Sequence, residues 1–314
     1  MKLLVLGAGA VGSLFGARLA GTGVAVQLVG RPEHVAAIRS HGLRVEGKGA
    51  GTFWIEAFPR LEDVTTPDVI LLAVKTFDVE PSATALAARF PRMVPTLLPQ
   101  NGLRVETRAA EAFRVALGAD PTPWLVRAVN TIPATLVAPG VVRQAGAGEV
   151  VLQDPRVENS PAGSIAVFER LLREAKIPVR LVPDLERELW RKALVNAAIN
   201  PVTALHGVPN GRLLEAPYRE EARGLLREAQ RSAAAVGFVF SDAEADRDLE
   251  RVVRATAENR SSMLQDRERG RPTEVDAISG EILRTAERHG VELPQTRVVV
   301  ARLSTAAPRP ADRG

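Results

Sequence analysis

The sequence predicts an α/β domain built on a doubly wound parallel sheet, followed by a domain made only of helices. Three observations predict it. Short apolar strand signals alternate with helical stretches through the first half of the chain. Strand signals nearly vanish after Leu185. The 314 residues exceed what one typical core accommodates.

Residues 2–6 (KLLVL) read as a short apolar strand, followed by glycines and a helix over 11–20. A second strand, VAVQLV (24–29), precedes a helix over 33–40. DVILLAV (68–74) is a continuous apolar run of the kind found in parallel strands buried on both faces. A helix over 78–90 and the strand VPTLL (94–98) follow. From 124 to 153 the runs WLVRAVNTI, PATLVAPGVV and GEVVL are separated by Pro and Gly, which predicts an antiparallel extension of the sheet. A helix (161–175) and the strand PVRLV (178–182) complete an expected first domain of residues 1–183. Helical stretches at 185–200, 217–236, 242–268 and 274–289 make up an expected second domain, 184–305. The Pro-rich, polar residues 306–314 are expected to be a disordered tail.

Composition narrows the function. The chain is 46% hydrophobic and 25% charged, as globular proteins are. A net charge of +4 is small for this length and forms no basic patch, so nucleic-acid binding is not indicated. No stretch is apolar for long enough to predict a transmembrane helix. The N-terminal run could pass for a leader peptide, but its glycines and Arg18 fit a strand, a turn and a helix start better. Without cysteine there is no disulfide, thiolate metal site or cysteine nucleophile, and no metal site is expected. Of 41 basic residues only five are lysine, at 2, 48, 75, 176 and 192. Where arginine serves for plain charge, a surviving lysine is informative, because lysine can give up a proton.

Gly7, Gly9 and Gly12 form G-x-G-x-x-G between the first strand and the first helix. With Ala8, Ala10 and Val11 they make a loop suited to the pyrophosphate of a dinucleotide: a tight turn, close backbone approach, and a helix N-terminus facing the phosphates. At the end of the second strand an acidic residue would bind ribose hydroxyls and select NAD; this chain has Gly30 and Arg31 instead. Arg31 can pair with a 2′-phosphate, so the expected cofactor is NADPH/NADP+. Lys75, in AVKTFD, and Asn101, in LPQNGL, fall just beyond the C-terminal ends of strands, where such sheets bind ligands. A solvated loop and an ordinary turn are the plainer readings of these two.

In the helical half, KALVNAAINP places Lys192, Asn196 and Asn200 at intervals of four, on one helix face. Pro201 disfavours helix at Asn200 and is expected to bend or end it there. Asn210 follows in PNG; Asn259 and Ser262 fall three apart on an expected helix. Glu274 is expected in the first turn of the next helix, where Thr273 and Asp276 resemble a capping box. Ordinary exposed helix polars would account for each of these alone.

In order along nearly the whole chain, GAGAVG, GR, VKT, QNG, WRKALVNAAINPVTAL, PNG and NRSSMLQDRERGRPTEVDAISG resemble the ketopantoate reductase (2-dehydropantoate 2-reductase) family. The WRKALVNAAINPVTAL and NRSSMLQDRERGRPTEVDAISG motifs are specific to that family and its close relatives. The resemblance implies a Rossmann-type domain and a C-terminal domain like that of 6-phosphogluconate dehydrogenase. It implies NADPH-dependent reduction of 2-dehydropantoate to (R)-pantoate, on the route to pantothenate and coenzyme A, in the cytoplasm. Lys192 would be the catalytic acid and Glu274 its carboxylate partner; Asn101 would hold Lys192 and the cofactor end of the site. Asn196, Asn200, Asn259 and Ser262 would bind the substrate, with Asn210 matching a further asparagine. Lys75 would touch cofactor or substrate. Members of the family can be homodimers, which the sequence neither requires nor opposes. ISG stands where ING is commoner, and extra residues between Gly102 and Lys192 set the middle loops apart. Two alternatives stay open: a reductase of another branched 2-keto acid, and an NADP-sensing protein without catalysis, against which Lys192 and Glu274 count.

Overall fold

The computed structural model describes residues 1–305; the tail expected at 306–314 lies outside them. The chain divides into two compact units, Met1–Gln100 with Arg104–Leu185, and Asn101–Leu103 with Glu186 onward.

The first unit runs β1 (Lys2–Leu6), α1 (Ala10–Ala20), β2 (Ala25–Val29), α2 (Pro32–His41), β3 (Leu43–Gly47), β4 (Gly51–Phe53), β5 (Glu56–Phe58) and β6 (Val69–Leu72). It continues with α3 (Val79–Arg89), β7 (Thr96–Leu98), α4 (Val105–Leu117), β8 (Leu125–Asn130), β9 (Ala134–Ala138), β10 (Val141–Gln144), β11 (Val150–Gln153), α5 (Ala162–Glu174) and β12 (Val179–Val182). Eight strands form one sheet in the order β12-β11-β8-β7-β6-β1-β2-β5, and only the β8–β11 pair is antiparallel. Side chains alternate across β1: Leu3 and Val5 pack into the core under α1 and α5, Leu4 and Leu6 into the core under α3 and α4. Both faces are covered, so the strands read as continuous apolar runs.

The segment 124–153 does not extend one sheet as expected. β8 and β11 join the large sheet, while β9 and β10 join β3 and β4 in a second one, ordered β4-β3-β10-β9. The β9–β10 hairpin turns at Gly140 (φ +74) and leaves the main sheet to pair β10 parallel with β3. Alternation alone does not say which partner a strand takes.

The second unit is helical: α6 (Leu185–His206), α7 (Tyr218–Ala235), α8 (Asp242–Ala255), α9 (Ser262–Glu268), a π-helical turn (Asp276–Gly280), α10 (Glu281–Arg288) and α11 (Pro294–Thr305). Four expectations need correction. α6 runs on through Pro201 instead of ending at Asn200, although Pro201 forfeits the N–H that would have met the Ala197 carbonyl. The stretch 242–268 is two helices, because Ser261 caps a new one, its hydroxyl accepting the Leu264 N–H at 3.1 Å. The helix expected from 274 starts just after Glu274 and opens on the π turn. Asp276 does not close a capping box; its carboxylate takes the Arg284 guanidinium at 2.6 Å.

Candidate active site

The glycine loop between β1 and α1 meets a different constraint at each glycine. Gly7 has φ +105, and a Cβ there would lie 2.6 Å from the Ala73 carbonyl carbon, just beyond β6. A Cβ at Gly12 would come within 2.0 Å of the Gly7 carbonyl oxygen. At Gly9, the exposed N-cap of α1, nothing lies within 4 Å of such a carbon. Two glycines therefore let the loop and helix pack, and the third leaves the helix N-terminus bare for an anion. The loop lies between β1 and β6, where the strand order reverses. Gly7 through Gly12, with Ala8, Ala10 and Val11 between, fit a dinucleotide pyrophosphate.

Beyond β2, Arg31 is the exposed N-cap of α2. Burial pushes the Asp78 carboxyl up, and the Arg31 charge pulls it partly back, so the two lie close enough to interact. Lys75, half-buried, is the N-cap of the short 3-10 turn Thr76–Asp78 beyond β6. Sequence reading passed over Gln100: its Nε2 donates to the Leu72 carbonyl at 2.6 Å, and its Oε1 is buried without a hydrogen-bond partner.

In the helical unit Lys192 and Asn196 are half-buried along α6, and Asn200 is 5% exposed. One turn on, the Thr203 hydroxyl lies 2.8 Å from the Ile199 carbonyl and 2.7 Å from Ser261 Oγ. With one proton on each hydroxyl, Thr203 donates back to its own helix and Ser261 donates to Thr203. The stripe's helix is thus tied to the N-cap of α9. Ser262 is exposed at the start of α9; Ser261 and Thr203, which sequence reading passed over, make this tie, and Thr203 follows Asn200 by three on the same face.

Asn259 is not on a helix. It lies half-buried in the turn between α8 and α9, its N–H donating to the Thr256 carbonyl at 2.8 Å. Asn210 holds that turn: its backbone N–H donates to the Asn259 carbonyl at 2.9 Å and its side-chain amide to Thr256 Oγ1 at 2.9 Å. Glu274 is 7% exposed and precedes the π turn. Asn101–Leu103 pack against that turn, with the Leu103 N–H donating to the Ala277 carbonyl at 3.3 Å. Gly102, at φ +86, would place a Cβ 2.5 Å from the same oxygen, so only glycine fits. Asn101 therefore sits one residue from the anchor of the turn that follows Glu274. Among the described residues no cluster of His, Asp and Glu is arranged to hold a metal, and no helix is long and apolar enough to cross a membrane.

Residues 3–156 match the family "Ketopantoate reductase PanE/ApbA" and residues 184–307 match "Ketopantoate reductase PanE/ApbA C terminal". The 2-dehydropantoate 2-reductase of Archaeoglobus fulgidus is 34% identical over 300 residues, 95% of each chain. A PanE/ApbA family ketopantoate reductase from Ralstonia eutropha JMP134 superposes with a TM-score of 0.83 at 29% identity, covering 97% of both chains. A D-mandelate dehydrogenase solved with NADH and anilino(oxo)acetate, 24% identical over 97% of both chains, shares the fold with a TM-score of 0.86. With a matching α/β unit, a matching helical unit and relatives aligned end to end, the chain belongs to the ketopantoate reductase family.

Proposed function

We propose that the chain reduces 2-dehydropantoate to (R)-pantoate with NADPH. The observation that carries this reading is the polar stripe Lys192–Asn196–Asn200, tied through Thr203 and Ser261 to the α9 N-cap in a chain of this family. The N-terminal unit would hold the cofactor: Gly7–Gly12 its pyrophosphate, Arg31 its 2′-phosphate, with Lys75 toward the nicotinamide end; Asn101, which groups with the helical unit, would serve that same end. When bound, NADPH supplies a hydride to the ketone carbon and leaves as NADP+.

The residues of the chain handle the rest. As the new C–H bond forms, the carbonyl π pair moves onto oxygen and charge develops there. Lys192 Nζ gives a proton to that oxygen and regains one from solvent. Arginine would hold its proton too tightly for this step. Glu274, a buried carboxylate, is suited to orient the ammonium. Asn196, Asn200, Asn259 and Ser262 offer neutral donors and acceptors for the substrate's carboxylate and hydroxyls without adding a competing charge. Asn210 acts from behind, by fixing the Asn259 turn. Arg31 in place of an acidic residue favours NADPH over NADH.

The test is NADPH oxidation by purified protein with 2-dehydropantoate, beside a panel of other branched 2-keto acids. Turnover with 2-dehydropantoate above the rest is expected. No turnover at high enzyme concentration, or a clear preference for another keto acid, overturns the reading.

A further inference from the structure

The end of β2 carries glycine for a reason the fingerprint alone does not supply. Gly30 is not required by a left-handed backbone, since its φ lies outside that region. What excludes a side chain is Ala8. A Cβ at position 30 would lie 2.4 Å from the Ala8 Cβ, far inside any real carbon–carbon contact. Neither group can step aside. The Gly7 and Ala8 N–H groups both donate to the Val29 carbonyl, at 3.1 and 3.0 Å, and the Gly30 N–H donates to the Phe58 carbonyl at 3.1 Å. The loop is clamped to the strand end on one side and the strand end to β5 on the other. An alanine methyl has no torsion by which to retreat.

Position 30 is where an NAD-selecting fold of this kind places its carboxylate. We infer that Ala8 is a specificity-determining residue: its methyl group sterically bars an acidic side chain from the end of β2 and leaves Arg31 unopposed there. Selection against NAD is then written into the phosphate loop as well as into Arg31. This rests on the NADPH reading above only for its direction. The steric coupling between positions 8 and 30 stands on the geometry alone.

The experiment is a pair of double-mutant cycles read by thermal unfolding and by cofactor titration. Gly30→Ala adds only the offending carbon and is expected to lower the Tm; adding Ala8→Gly should restore most of the loss. Gly30→Asp alone should lower the Tm and weaken both cofactors. Ala8→Gly with Gly30→Asp should refold the loop and shift the NADH-to-NADPH affinity ratio toward NADH by about tenfold or more. Gly30→Ala melting as high as the parent, or a loss that Ala8→Gly does not relieve, overturns the coupling. A stable Ala8→Gly, Gly30→Asp protein with the parent's cofactor ratio overturns the specificity role. A parent that prefers NADH refutes the NADPH reading while leaving the alanine cycle to decide the coupling.

Discussion

Lys192 is one of five lysines in an arginine-rich chain, and it occupies a half-buried place in α6, above two asparagines. Arg191 beside it pairs with Glu244 and Asp248 of α8, each at 2.6 Å. Replacing Lys192 therefore leaves that network intact. Lys192→Ala is expected to lower kcat by about 10²–10⁴, the range for loss of a general acid, with little change in Tm. Lys192→Arg should lose kcat as well, because the charge remains but the proton is held. Unchanged kcat in both variants takes Lys192 out of the chemistry. Residue scarcity made this position legible in advance. It could not separate Ser261 from Ser262, since only the fold decides which of two adjacent serines caps the helix. Nor could it show that the amide of Asn210 is committed to Thr256.

At the scale of elements, the two helices that present Gly9 and Arg31 are joined through one buried imidazole. His34 on α2 lies 3.0 Å by Nε2 from Ser13 Oγ on α1, and its Nδ1 accepts the Gly140 N–H of the β9–β10 turn at 2.9 Å. A backbone N–H can only donate, so Nδ1 is unprotonated and the ring is neutral with its hydrogen on Nε2. Burial lowers the His34 pKa below 6.5, opposed by Glu33. Between that lowered value and 6.5 the unfolded chain holds the proton and the fold does not, so stability rises with pH across this window and is level above it. Tm should fall on acidification below about 6.5, and His34→Gln should flatten that limb; superimposable pH profiles for the two proteins would refute the assignment. Unlike α4 and α11, which no expected element covers, β1, β2, β6, β7 and β12 with α1, α2, α3, α5 and α7 were readable because their periodicity is local. β3–β5, the partner of β10, the break before Ser261 and the passage of α6 through Pro201 were not. Those features depend on contacts made by residues far apart in sequence, such as Thr203 with Ser261.

On the scale of the whole molecule, each unit has its own buried interior and its own polar fastening. In the helical unit the fastening is Glu228 of α7, 2% exposed, whose carboxylate accepts the Gln295 and Thr296 N–H groups at 3.0 and 2.7 Å. It caps the N-terminus of α11, where the first N–H groups have no partner inside the helix. Glu228→Gln keeps one acceptor oxygen and turns an NH₂ toward a buried N–H, a change that costs about 1–3 kcal/mol. Cofactor bound to the α/β unit acts on the other half: at ~100 times its Kd a ligand adds about 2.7 kcal/mol to the state that binds it. Two units of this size are not bound to unfold as one cooperative step. Calorimetry is therefore expected to resolve the melt into two components, with NADPH raising the one that belongs to the α/β unit. Glu228→Gln should lower the other and leave the NADPH-dependent component in place. A single transition that both perturbations move together would mean that the chain unfolds as one cooperative body.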